Sequence, residues 1–172
     1  MTLLVVLIIE VIYHNKDIVH ILPYLSVILV GLIFIVAYRI FKKIKLRHYL
    51  ASLNEVDAMS GVEFEQYIAK LLRRNGFSNV SLTEKYDMGV DVVAEKNGER
   101  WGIQTKRYND LVKASAVRQV IAGLNSYNCT RAMVMTNSSF SNYAIKLARS
   151  NHCILIDRME LAKLINDTPP RP

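Results

Sequence analysis

Charge is missing from one long stretch of this chain. Ile18–Tyr38, IVHILPYLSVILVGLIFIVAY, has no Asp, Glu, Lys or Arg over 21 residues. A helix that crosses a bilayer core needs roughly 20 apolar residues, and a buried helix of a soluble domain is seldom so long or so apolar. The stretch reads as a membrane span, with Pro23 near its start, where a helix tolerates proline. Acid is missing from residues 39–47, which carry Arg39, Lys42, Lys43, Lys45 and Arg47. By the positive-inside rule this end of the span faces the cytoplasm. Cysteine is scarce: Cys129 and Cys153 are the two, and no C-x-x-C spacing occurs. In a domain on the reducing side of the membrane they read as packing residues. The N-terminus lacks the basic n-region and small-residue cleavage site of a secretory signal. Thr2–Tyr13 is apolar but short, and Glu10 interrupts it. It reads as a tilted first span, with His14–Asp17 as the turn of a helical hairpin, or equally as an interfacial segment. No internal repeat is visible.

The charge that is present divides unevenly. Of the formal +7, residues 39–47 hold +5 and residues 48–172, with 16 basic and 13 acidic side chains, hold +3; Lys16, Glu10 and Asp17 give −1. The basic balance is thus mainly a membrane signature and does not by itself argue for nucleic-acid binding. The expected organisation is a membrane anchor over 1–41, a basic juxtamembrane segment and polar linker over 42–59, a folded domain over 60–166 and a frayed tail over 167–172.

Within the folded part, Ser60 and Glu63 form an S-x-x-E capping box, and Phe64, Ile68, Leu71 and Leu72 make an apolar stripe at helical spacing that stops at Gly76. Strand-like runs follow at 80–83, 90–95 and 101–107, then a helix over 114–127, a buried strand over 132–136, a helix over 141–150, a strand over 153–157 and a short helix over 159–165. This order predicts an α/β fold with a mixed sheet flanked by helices.

The run DMGVDVVAEKNGERWGIQTK, residues 87–106, carries Asn97-Gly98, a tight-hairpin signal, between alternating apolar residues. A two-residue loop there sets opposed residues whose numbers add to 195. Asp91 then faces Gln104, and Asp91, Gln104 and Lys106 project from one face of the sheet. Val92, Ala94, Trp101 and Ile103 take the other face and pack into the core. An acid, an amide carbonyl and a lysine gathered this way suit a hard divalent cation and a phosphate. Asp91 and Gln104 offer oxygens to Mg²⁺, which keeps several waters and takes few protein ligands. Lys106 stabilises charge on the phosphate or orients the attacking water. A further acid is wanted. With Phe64 at zero and about 100° per residue, the apolar stripe centres near 25°, Glu65 lies at about 100° and Glu63 at about −100°. Glu63 has its capping task, so Glu65 is the candidate that reaches the sheet. Asp87 reads as a turn former before Gly89, with an outer-ligand role as the alternative.

The segments GVEFEQYIAKLLRRNGF, DMGVDVVAEKNGERWGIQTKRY, AVRQVIAGLNSY, AMVMTNSSFSNYAIKLA and LIDRMEL together resemble the Mrr-type catalytic domain of the restriction endonuclease-like, PD-(D/E)XK superfamily. They cover about residues 60–161. The resemblance implies a restriction endonuclease-like fold and Mg²⁺-dependent hydrolysis of phosphodiester bonds in DNA, with Mn²⁺ as a substitute ion. It implies that Asp91 is the motif aspartate, Lys106 the motif lysine and Glu65 the helix acid. Gln104 stands where the wider superfamily has Asp or Glu, and the Mrr branch is similar to this chain in using Gln there. Gln119 resembles a supporting polar position; a plain solvated helix residue is the equal alternative. Arg107, Lys113 and Arg118, with Lys70, Arg73 and Arg74, are candidates for phosphate contact, and each reads as readily as surface charge. Mrr-like enzymes usually carry a separate recognition domain. A membrane anchor stands in its place here, which weighs against sequence- or modification-specific restriction.

The preferred expectation is a membrane-anchored, metal-dependent DNA endonuclease facing the cytoplasm, in a setting such as restriction of incoming DNA. Cutting both strands with one site per chain suggests a homodimer, although no dimer face is legible. A non-catalytic module that tethers DNA to the membrane is the alternative, permitted by the neutral Gln104. A protein-assembly module comes third.

Overall fold

The computed structural model describes residues 16–51, 53–84 and 88–167. The candidate short span 2–13, the His14-Asn15 part of its turn, Asp87 and the tail residues 168–172 lie outside the described residues. The chain divides into two compact units, Met1–Leu46 and Arg47–Pro172.

Helix α1, Lys16–Ala51, has 36 residues and begins in the first unit. At 1.5 Å per residue it is about 54 Å long, more than a bilayer core requires. Within it Pro23–Ile44 is long and apolar enough to cross a membrane, and none of that window is buried. Tyr24, Phe34 and Phe41 are among the side chains left exposed. Apart from Arg39, Lys42 and Lys43 towards its end, the window is apolar on all sides. The helix begins by Lys16, so Pro23 lies inside it and not in its first turn. Proline deprives one carbonyl of its helical N–H there, a defect common in membrane helices.

The second unit is a five-stranded sheet between two helical layers. Helix α2, Asn54–Ala58, precedes α3, Gly61–Arg74. The expected capping box opens α3: the Glu63 amide donates to Ser60 Oγ at 3.3 Å and the Ser60 amide to Glu63 Oε2 at 2.8 Å. Strands β1 (Ser78–Leu82), β2 (Val92–Lys96) and β3 (Glu99–Lys106) follow. Next come α4 (Ala114–Gly123) with a 3₁₀ turn, Leu124–Tyr127, then β4 (Arg131–Thr136), α5 (Asn142–Ser150), β5 (Ile154–Ile156) and α6 (Arg158–Asp167). Strand order is β1-β2-β3-β4-β5; the first two pairings are antiparallel and the last two parallel.

The β2–β3 hairpin keeps the expected register, from Val92↔Ile103 to Lys96↔Glu99. Asn97 (φ 56°) and Gly98 (φ 77°) are both left-handed, as a type I′ turn requires. Val92, Ala94, Trp101 and Ile103 therefore pack with Phe64, Ile68, Met133 and Leu161 on one face, under α2, α3 and α6. Val93 and Val134 pack with Val117, Val120 and Ala144 on the other, under α4 and α5. Cys129 and Cys153 are buried free thiols of this second core, as expected. Burial pushes the Cys153 thiol up to about 11, which keeps it protonated and unreactive.

The segment expected to be a linker contributes to the fold. Leu53 and Val56 are fully buried in the first core, so the folded unit begins before Ser60. Asp57 joins Arg158 in a two-pronged ion pair, Nη1–Oδ1 at 2.8 Å and Nη2–Oδ2 at 2.7 Å. The Arg158 hydrogen bond, helped by Asn137, holds the Asp57 carboxyl below its ordinary range. Stability from a depressed carboxylate is present above its unfolded value, about pH 4, and is lost as pH falls through the folded value. Asp57→Asn is therefore expected to melt below the parent at pH 7, with the gap closing under about pH 4. Thermal melts of both across pH 3–7 (about the carboxylate range) check this; a gap independent of pH would contradict it.

Candidate active site

Asp91 sits just before β2, where the antiparallel ladder begins. Its amide donates to the Ile103 carbonyl at 2.9 Å, and its carbonyl accepts from the Thr83 amide at 3.0 Å. Thr83 Oγ1 also donates to the Val90 carbonyl at 2.6 Å. The backbone of Asp91 is thus fixed from both neighbouring strands. Its side chain is 6% exposed. A carboxylate so buried needs donors, because desolvation of an unpaired charge is costly. Three donors converge on Oδ2: the Gln104 side-chain amide, the Thr105 backbone N–H and, at 3.0 Å, Thr105 Oγ1. Charge-assisted bonds of this kind are about twice as strong as neutral ones.

Gln104 is buried and Lys106 half-buried. With Met88, Gly89, Asp91, Gln119 and Ala122 they line an open cleft of ≈ 380 Å³. A second cleft of ≈ 260 Å³ shares Lys106 and Gln119 and continues past Tyr108, Leu111, Lys113 and Ser115. Helix α4 forms one wall because two glycines let it approach. A Cβ on Gly89 (φ +88°) would lie 2.5 Å from the Gln119 carbonyl oxygen, and one on Gly123 would lie 2.3 Å from that of Met88.

The structure thus brings Asp91, Gln104, Lys106 and Gln119 together around one cleft and sets Lys113 on its extension. Arg118 is exposed on α4 and lines neither cleft. Glu65 is half-buried on α3, whose apolar side packs against the opposite face of the sheet, and it is not among the cleft's lining residues. Arg107 is engaged within the protein, with Nη2 on the Asp57 carbonyl and Nη1 on Asn109 Oδ1 at 3.0 Å. Arg73 likewise donates to the Val80 carbonyl at 2.7 Å. Sequence reading passed over Thr105. Strand parity turns it away from the face of Gln104 and Lys106, yet its N–H runs in the sheet plane towards Asp91. The Q-x-K spacing itself was the signal, since x is the residue between the two.

Among the described residues, no three His, Cys, Asp or Glu side chains gather to hold a metal. The donors that do meet are one buried carboxylate and one amide, whose N–H is used on Asp91 and whose carbonyl oxygen remains as a neutral ligand. This lean oxygen set fits a hard divalent ion that retains most of its waters and takes further oxygens from a phosphate.

Comparison with known proteins bears on the family and the fold. The family model Mrr_cat, described as a restriction endonuclease, matches residues 56–165. No curated protein matches the sequence. Among solved structures, the DNA modification-dependent restriction endonuclease AspBHI aligns at TM-score 0.52 and 14% identity, over 71% of this chain and 34% of that one. The protein of unknown function AF1548 aligns at TM-score 0.47 and 25% identity, over 54% of this chain and 55% of that one. Can2 from Sulfobacillus thermosulfidooxidans, in complex with cyclic tetra-adenylate, aligns at TM-score 0.41 and 18% identity, over 63% of this chain and 36% of that one. The chain spans just over half of the second of these and about a third of the other two. The AspBHI likeness shows a shared restriction endonuclease-like fold.

Thr105→Val keeps the backbone donor to Asp91 and removes the hydroxyl. A hydrogen bond to a charged group contributes about 1.5–3 kcal/mol, so urea unfolding is expected to show a loss of that order. An unchanged midpoint would mean that Oγ1 does not hold the carboxylate.

Proposed function

Because the chain belongs to the Mrr_cat restriction endonuclease family, we propose that its folded unit is a divalent-metal-dependent deoxyribonuclease that hydrolyses phosphodiester bonds in DNA. We read Mg²⁺ as its ion, with Mn²⁺ as a substitute. The observation that carries this reading is the Asp91 carboxylate, buried and held by three donors, beside Gln104 and Lys106 at the mouth of an open cleft. A solvated hairpin face has no use for a carboxylate fixed so tightly.

Each residue has a task in this proposal. Asp91 and Gln104 hold the ion; when bound, the ion supplies Lewis-acid stabilisation of phosphoryl oxygen. Lys106 places a positive charge where negative charge develops on the phosphate during attack by water. Gln119, on the opposite wall, hydrogen-bonds a phosphate oxygen or the water. Lys113 and Arg118 contact flanking phosphates, which makes binding fall steeply with salt. In the same reading α1 anchors the chain in a membrane, and the basic run 39–47 sets the folded unit on the cytoplasmic side. Restriction of DNA arriving at the membrane is the proposed setting, and a homodimer the proposed route to double-strand cuts. The neutral Gln104 favours one second reading, a DNA tether without catalysis.

The test is plasmid cleavage by the full chain in detergent with Mg²⁺ or Mn²⁺. The parent is expected to cut, and Asp91→Ala and Lys106→Ala to lose roughly a hundredfold or more in rate. Salt-sensitive DNA binding without cutting by the parent would favour the tether. Neither binding nor cutting would remove both readings.

A further inference from the structure

Lys106 stands where β3 has lost one of its neighbours. The pairing with β2 ends at Val92↔Ile103, while that with β4 continues to Lys106↔Thr136. From Gln104 onward the strand carrying the site is laddered on one side alone, apart from the Thr105 bonds to Asp91. An extended segment held on one side frays unless other groups take its polar atoms. Here three consecutive residues are each tied down. The Lys106 carbonyl accepts from Thr136 Oγ1 at 2.6 Å. The Arg107 guanidinium donates to the Asp57 backbone carbonyl. The Tyr108 amide donates to Asn137 Oδ1 at 2.7 Å.

The groups that do the tying are themselves joined. Asn137 is 4% exposed, and its Nδ2 donates to Asp57 Oδ1 at 2.9 Å. Arg158 bridges both, with Nη1 on the Asn137 carbonyl at 2.9 Å and the two-pronged pair on Asp57. Four separate pieces of chain thus converge behind Lys106: the start of the folded unit, the ends of β3 and β4, and the first residue of α6. None of these side chains lines the cleft of Asp91 and Gln104.

We propose that Asp57, Asn137 and Arg158 are positioning residues for Lys106: they fix the backbone at the end of β3 and so set where the ammonium stands relative to Asp91. The catalytic half of this proposal rests on the nuclease reading. It gives a task to the stretch before Ser60, and it assigns Arg107 to holding the strand end instead of to DNA. Misplacement of a reacting group by about 1 Å costs on the order of a hundredfold in rate, so the network acts on turnover without touching substrate.

The experiment uses the full chain in detergent. The variants are Asp57→Ala, Asp57→Asn, Asn137→Ala, Lys106→Ala, the Asp57→Ala/Lys106→Ala pair, and Glu95→Gln as a control that breaks the half-buried Glu95–Arg100 ion pair on the hairpin. Cleavage is measured as kcat and KM, and amide exchange is followed by mass spectrometry over 104–112. Asp57→Ala and Asn137→Ala are expected to lower kcat about tenfold or more with KM little changed. Exchange should rise over 104–112 and not across the other strands. Asp57→Ala should cost nothing further in the Lys106→Ala background, and Glu95→Gln should leave cleavage unchanged. Full additivity of the pair, a loss confined to KM, or unchanged exchange at 104–112 would overturn the proposal. Global exchange in Asp57→Ala would also overturn it if the milder Asp57→Asn, which keeps the side-chain shape, retains parental kcat. A parent that does not cleave would overturn the nuclease reading and the catalytic half with it, while exchange still decides whether the network holds the strand end.

Discussion

A carboxylate buried in a protein must be satisfied by hydrogen bonds, because stranding its oxygens away from water is costly. Asp91 meets that condition with three donors from two adjacent residues of one strand. The rest of the folded unit is arranged so that those donors arrive. The Asn97-Gly98 turn sets the β2–β3 register, and the register sets Gln104 and Thr105 beside Asp91. Thr83 fixes the Asp91 backbone from the far side. Gly89 and Gly123 let α4 close over the loop before Asp91, which makes a cleft of what would otherwise be an open sheet face. A one-residue slip in the hairpin would send the whole set to the other face, into the apolar core.

Local chemistry explains why so much of this was legible in the sequence. The capping box, the apolar stripe of α3 and the type I′ turn are read from neighbours a few residues apart. From the turn alone, parity brought Asp91, Gln104 and Lys106 to one face. What was hidden depends on contacts between distant residues. Asp57 meets Asn137 across 80 positions and Arg158 across 101, and no spacing rule reports such pairs. For the same reason the stretch before Ser60 read as a polar linker, although Leu53 and Val56 are buried. A helical wheel places Glu65 at the margin of α3's apolar stripe. It does not say which face of the sheet the helix covers, and α3 covers the face opposite Asp91. Thr105 was hidden by the rule that revealed its neighbours, since parity tracks side chains and its main contribution is a backbone N–H.

The uneven charge now has a physical division. The basic run lies at the end of the apolar window of α1 and just beyond it, whereas the folded unit is nearly balanced and keeps its cations in specific places. Arg107 and Arg158 are engaged in the network at the end of β3; Lys106 and Lys113 face the clefts. Counting basic residues would have credited all four to DNA. Their partners separate those that shape the site from those that face a substrate.

We propose that Asp91 and Gln104 form the ion-holding centre of this nuclease fold. Mn²⁺ binding to the full chain in detergent, followed by electron paramagnetic resonance beside Asp91→Asn, tests it most directly, because it needs no substrate. Saturable binding by the parent, displaced by Mg²⁺ and abolished in Asp91→Asn, is the expected result. Equal binding by both proteins, or none by either, would contradict it.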